Sequence, residues 1–183
     1  MIQEKELVSA LKTASESEKA FRILVSQYKE RLYWHIRNIV LNHVDADDVL
    51  QNTFIKVYRN INKFQGNSKL YSWMYRIATN ESITFLNKKA KQKNITIEEV
   101  KEQIILKLES DVYFEGDEIQ IKLQKAIATL PQKQQLIFNM KYFEKHTYED
   151  LSEILDTSVG GLKSSYHIAV KKITAFLKQN ETF

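Results

Sequence analysis

The chain has 183 residues, 43% of them hydrophobic, with a formal net charge of +4; that suits one large or two small domains with cores of ordinary size. It holds no cysteine, one proline and four glycines, which excludes disulfides, thiolate metal sites and thiol nucleophiles and leaves little material for hairpins. No apolar run approaches the roughly 20 residues of a membrane span, and the opening MIQEKELVSALK lacks a signal-peptide core, so a cytoplasmic chain with no membrane insertion is expected.

Long 3.6-period segments without sustained alternation predict an all-α fold of two small helical domains. The expected division is an N-terminal helical domain over 1–93, an acidic linker over 94–116 and a C-terminal helix-turn-helix domain over 117–183. In the first domain, Phe21, Leu24, Val25, Tyr28, Leu32, Ile36 and Ile39 form one apolar stripe on a long helix ending near Asn42. A second helix is predicted to start at Asp45 as cap, with Asp48 in the capping-box position and Leu50, Phe54, Val57, Tyr58 and Ile61 facing inward. Its opposite face carries Asp48, Gln51, Asn52 and Ile55, an isoleucine among carboxylates and amides that suits protein docking.

The next segment runs FQGNSKLYSWMYRIATN from Phe64 to Asn80. Gly66, Asn67 and Ser68 make a turn, with Ser68 predicted to cap the following helix. On that helix Trp73, Arg76, Ile77, Asn80 and Thr84 share a face, and its far end runs into Lys88, Lys89, Lys91 and Lys93 with no acid between Ser82 and Ile97. Aromatic, amide and cation together are what single-stranded nucleic acid needs: a stacking platform, an edge reader and phosphate neutralisers. Trp73 and Tyr75 also fit as core or boundary aromatics.

The spacer from Asn94 to Gly116 has isolated apolar residues (Ile104, Ile105, Leu106, Leu108) and no evident caps. A short helix inside a mobile, acidic connector is expected there, holding two basic modules apart.

Pro131 then opens a supporting helix with Leu136, Ile137, Met140 and Phe143 on its packed side. Thr147 caps the next helix, with Asp150 three residues on as its capping-box acid and Leu151, Ile154 and Leu155 as its buried stripe. Across the tight Asp156-Thr157-Ser158 turn, a last helix buries Leu162, Tyr166, Ala169 and Ile173 and turns Lys163, Ser164, His167 and Lys171 outward. A cationic, hydrogen-bonding face with no acid from Ser158 to Asn180 suits a nucleic-acid groove, or belongs to a plain helical bundle with a solvated face.

Read in order, DADDVLQNTFIKVY, FQGNSKLYSWMYRIATN and LPQKQQLIFNMKYFEKHTYEDLSEIL…VGGLKSS resemble the extracytoplasmic-function group of bacterial RNA polymerase sigma factors, from about Phe21 to Leu177. The resemblance implies two helical domains and a role in transcription initiation, with core RNA polymerase (its beta-prime clamp helices and beta subunit), promoter DNA and an anti-sigma factor as partners, and no cofactor or metal. It implies that Asp45, Asp48, Gln51, Asn52, Phe54 and Ile55 dock on the polymerase. The loop of Phe64, Gln65, Gly66, Asn67, Ser68 and Lys69, with Asn80, corresponds to the element that captures an unstacked base of the minus-10 element, and Trp73, Arg76, Lys88 and Lys89 are expected to bind the same DNA beside it. Thr147, Tyr148, Gly160, Gly161, Lys163, Ser164, Ser165, His167 and Lys171 correspond to the reader of the minus-35 element. The chain departs from the pattern at Ser165 and Ile168, where many relatives carry arginine, and at Gly160-Gly161, where Gly-Thr is frequent.

Two other classes fit parts of the chain. One is a helix-turn-helix regulator that uses only the C-terminal motif. An enzyme has less to stand on: His35, His43, His146 and His167 are scattered, with His35 and His43 reading as surface or boundary residues, and no Gly-rich phosphate loop is present.

Overall fold

The computed structural model describes residues 4–106 and 118–179. Among them every regular element is helical. The first module comprises α1 (Glu4–Lys12), α2 (Ser17–Val40), α3 (His43–Asn60), a short 3-10 turn (Ile61–Lys63) and α4 (Leu70–Lys93). Then follow α5 (Ile97–Ile105), α6 (Glu118–Ala128), α7 (Gln132–Tyr142), α8 (Tyr148–Leu155) and α9 (Val159–Gln179).

The apolar stripe of α2 is buried as its period requires: Leu24, Leu32 and Ile36 are fully enclosed and Ile39 nearly so. They pack between α3 and α4, where Val49, Val57, Leu70, Met74 and Leu86 complete the interior. Enclosing each such side chain contributes about 1.5–3 kcal/mol. Tyr58, expected inward, lies outside at 47% exposure, its ring meeting Phe21 edge-on at 4.9 Å.

The helix starts correct three expectations. Asn42, not Asp45, caps α3, its Oδ1 accepting from the Asp45 N–H at 3.0 Å. Ser68 does not cap α4; the Leu70 N–H is instead met at 2.8 Å by the Glu4 carboxylate, brought across from α1. The spacer does carry a cap: Thr96 and Glu99 close a full capping box on α5. That helix is docked, with Val100 and Ile105 buried. Lys101 is also buried and donates to Gln135 Oε1 at 2.5 Å, tying α5 to α7. The expected acids Glu109, Asp111, Glu115 and Asp117, and Leu108, lie outside the described residues.

In the second module α7 buries Leu136, Ile137, Phe138 and Met140. Phe138 takes the place expected for Phe143, which is 39% exposed. Pro131 sits one residue earlier than a first-turn position, as the extended N-cap of α7 at φ −55°. Ala126, Ile127, Leu130, Phe138, Ala169 and Ile173 form this module's own interior.

The two modules are not held apart. One apolar cluster runs without a break from Leu7 in α1 to Leu136, Met140, Leu151, Ile154 and Leu162 in α7, α8 and α9. Helix α8 lies along α4, and α7 touches α2.

Candidate nucleic-acid interface

The helix-turn-helix forms as its residues direct. Thr147 Oγ1 accepts from the Asp150 N–H at 3.1 Å while the Asp150 carboxylate accepts from the Thr147 N–H at 3.2 Å, the reciprocal cap that starts α8. Asp156 ends α8 in the left-handed region at φ 49°, and Ser158 Oγ accepts from the Gly161 N–H at 3.3 Å to start α9. On α9, Leu162, Ala169 and Ile173 are buried with Tyr166 half-buried, while Lys163, Ser164, His167 and Lys171 are exposed along the opposite side. Ser165 is half-buried and Gly160 exposed. Tyr148 is half-buried between two cations, Lys141 Nζ at 4.7 Å and Lys163 Nζ at 5.7 Å from its ring centre. These contacts steady Lys163 at the start of the cationic face.

The other candidate surface is divided by the fold. Gln65, Gly66, Asn67, Asn80 and Lys88 are exposed, and Gly66 takes φ 76°, a backbone turn that L side chains rarely adopt. Phe64 is buried and its ring tilts against half-buried Trp73 at 5.3 Å, so this pair anchors the loop from beneath. Lys89 is paired with the Asp45 carboxylate of α3. Of the expected docking residues, Phe54 is buried, while Asp48, Gln51, Asn52 and Ile55 share the open side of α3 and Asp45 is half-buried.

Lys69 and Arg76, two turns apart, are engaged by α8. Lys69 Nζ bonds the Asp150 carboxylate at 3.0 Å, and Arg76 donates to the Glu153 carbonyl. That carbonyl belongs to the last turn of α8, where the helix leaves acceptors unpaired and favours a cation. Burial pushes the Asp150 carboxyl up, but hydrogen bonds from Tyr71, Thr147 and Lys69 outweigh it and hold the group well below the usual carboxylate range.

Sequence reasoning missed a polar cluster beside this contact. His35 is fully buried, not at the surface. Its Nδ1 faces both Glu144 carboxylate oxygens at 3.0 and 3.1 Å, and its Nε2 meets Thr79 Oγ1 at 2.8 Å. His146 Nε2 also meets Glu144 Oε2, at 3.2 Å, with its ring stacked on Tyr71 at 6.1 Å. Burial raises the Glu144 carboxyl, and the charge and hydrogen bonds of the two imidazoles overcome that and bring it down to about 2. No local pattern pairs residues 109 apart; the only hint was the proximity of Glu144 to His146.

Residues 24–92 match Sigma-70 region 2, and residues 120–173 match Sigma-70, region 4. The ECF RNA polymerase sigma-E factor of Haemophilus influenzae is 31% identical over 155 residues, covering 80% of this chain and 82% of that one. This chain belongs to the extracytoplasmic-function group of sigma-70 factors. The group's SigW of Bacillus subtilis is likewise 31% identical over 159 residues, 82% of this chain and 84% of the relative. The fold agrees: the chain superposes on CnrH in complex with the cytosolic domain of CnrY with a TM-score of 0.70, at 16% identity over 97% of this chain and 99% of that one. It superposes on the sigma factor RpoE of Bartonella quintana, solved with the anti-sigma factor NepR, with a TM-score of 0.65 at 19% identity over 87% and 98%. As a sigma factor, it directs RNA polymerase to promoters. No described helix is long and apolar enough to cross a membrane.

Proposed function

We propose that the chain divides this work between its modules, with residues 1–93 docking on polymerase and engaging the minus-10 element, 94–116 as connector, and 117–183 engaging the minus-35 element. The observation that carries the reading is that both sigma regions occur on one chain, at 24–92 and 120–173. A regulator built only on a helix-turn-helix has no use for the first.

The open side of α3, with Asp48, Gln51, Asn52 and Ile55 and half-buried Asp45 at its edge, is the polymerase contact in this reading, and buried Phe54 shapes it from within. The Gly66 loop with Asn67 and Asn80 receives an unstacked base and Lys88 neutralises phosphate, with Arg76, Lys69 and Lys89 joining once they leave the Glu153 carbonyl, Asp150 and Asp45. Lys163, Ser164, His167 and Lys171 enter the minus-35 groove.

The energetics require the polymerase. Opening roughly ten base pairs gives up about 1.4 kcal/mol of stacking per step, whereas each captured base returns only about 1 to 3 kcal/mol. The chain therefore nucleates opening, and the polymerase supplies the rest together with all catalysis. An anti-sigma factor is a further proposed partner, supported by the complex in which the Bartonella RpoE was solved.

Transcription reconstituted with core polymerase, followed by sequencing of transcript 5′ ends, tests the reading. Discrete starts sharing two upstream elements are expected; starts identical to those of core polymerase alone refute it. A pull-down without DNA separates the regulator alternative, since only a sigma factor brings polymerase subunits with it. Lys171→Ala should lower promoter affinity and reduce the slope of log affinity against log salt by about 1, as one phosphate contact is lost.

A further inference from the structure

We propose that α1 belongs to the base-capture site: Glu4 and Lys12, at its two ends, hold the two feet of the loop over 64–69 and set its shape for an unstacked base. The proposal rests on the reading of that loop as the base receiver.

The match to Sigma-70 region 2 begins at residue 24, so it assigns nothing to α1. Yet α1 grips the loop at both margins. Where the loop begins, Lys12 Nζ donates to the Phe64 carbonyl at 2.6 Å. Where it ends, the Glu4 carboxylate accepts from the Leu70 N–H at 2.8 Å. Glu4 and Lys12 are the first and last residues of α1, about 12 Å apart along its axis at 1.5 Å per residue. One rod therefore fixes two points of the chain that bracket the loop.

The loop does not supply these contacts itself. Lys69, the N-cap residue of α4, makes no side-chain cap bond, so without Glu4 the Leu70 N–H is an orphan first-turn donor beside a fully buried side chain. Charge favours both contacts, since a carboxylate suits a helix N-terminus and an ammonium is a strong donor to a carbonyl. Helix α1 has its own seat: Leu7 and Leu11 are buried in the main apolar cluster, and the helix lies against α2 and the 3-10 turn. Its hold on the loop is thus backed by the interior.

Between the two feet, the Phe64 ring is held from beneath by Trp73, while Gln65, Gly66 and Asn67 stay exposed. Asn67 Nδ2 donates to Gln65 Oε1 at 3.1 Å across the tip. The loop is fixed below and open above. A loop loose at one foot samples many shapes, and that freedom is lost when a base binds; fixing both feet removes the loss beforehand. Glu4 and Lys12 are positioning residues, acting on the base through the loop.

The test uses the full chain reconstituted with core polymerase and, as probe, the non-template minus-10 strand of a promoter located by its transcript 5′ ends. Affinity for the intact strand is compared with affinity for strands in which each base in turn is replaced by an abasic site. Wild type should lose affinity at the captured position. Glu4→Ala and Lys12→Met should shrink that loss by roughly three- to tenfold, with affinity for the abasic strand itself unchanged. Lys12→Arg, which keeps a donor, should restore it. Variants that melt earlier yet keep the wild-type loss would show that Glu4 and Lys12 serve the fold alone, and would overturn the proposal. Hydrogen exchange on wild type needs no variant to fold: a Leu70 amide exchanging at the rate of an unbonded one overturns it too. A wild-type strand affinity indifferent to every abasic site refutes the loop as base receiver, and the proposal falls with that reading.

Discussion

Lys101 shows how one buried group shapes behaviour far from any interface. Burial disfavours its ammonium form, with Glu98 opposing, and lowers it from 10.5 to about 8. Between those values the unfolded chain binds a proton that the folded chain does not, so this group's contribution to stability rises with pH across the window. We expect wild type to gain on Lys101→Met as pH goes from 8 to 10, by at most about 1.4 kcal/mol per unit, in chemical denaturation. Parallel curves for the two proteins would refute the burial account. Nothing about Lys101 marks it in the sequence, because its neighbours Val100 and Glu102 fit either a solvated or a docked helix. His35 is the same case: its position on α2 was readable, but its enclosure was made by Thr79 and Glu144 from elsewhere.

At the scale of elements, local chemistry was legible wherever a cap lay next to the helix it served. The Thr147 and Asp150 box was, and the Thr96 and Glu99 box had the same spacing but was hidden in a run of charge. The cap of α4 was not, because Glu4 reaches it across 66 positions. The two glycines opening α9 give an element-scale test. A Cβ at Gly160 meets nothing within 4 Å, whereas one at Gly161 meets Ser158 Oγ at 3.2 Å. Gly160→Ala should therefore stabilise the chain by about 0.5–1 kcal/mol in thermal denaturation. Gly161→Ala should gain less, because the Ser158 hydroxyl that caps the helix must give way. Equal gains would show that Ser158 moves freely.

For the whole molecule, two modules expected to stand apart share one apolar cluster and a polar seam. A closed chain of this length should have a radius of gyration of about 16 Å by the compact-domain relation. Small-angle scattering of the free chain should return that figure; a substantially larger value would mean that the seam does not hold in solution.

The division between what was readable and what was not follows the range of the forces involved. The 3.6-residue period, the turn at Asp156 and the order of three motifs determined the helices, the helix-turn-helix and the family, because each is written in neighbouring residues. Which faces those helices give to one another was decided only in three dimensions. The stretches linking His35 to Glu144 and Lys69 to Asp150 carry no trace of either pairing, since a seam between modules answers to shape and charge brought together by folding and to no period along the chain.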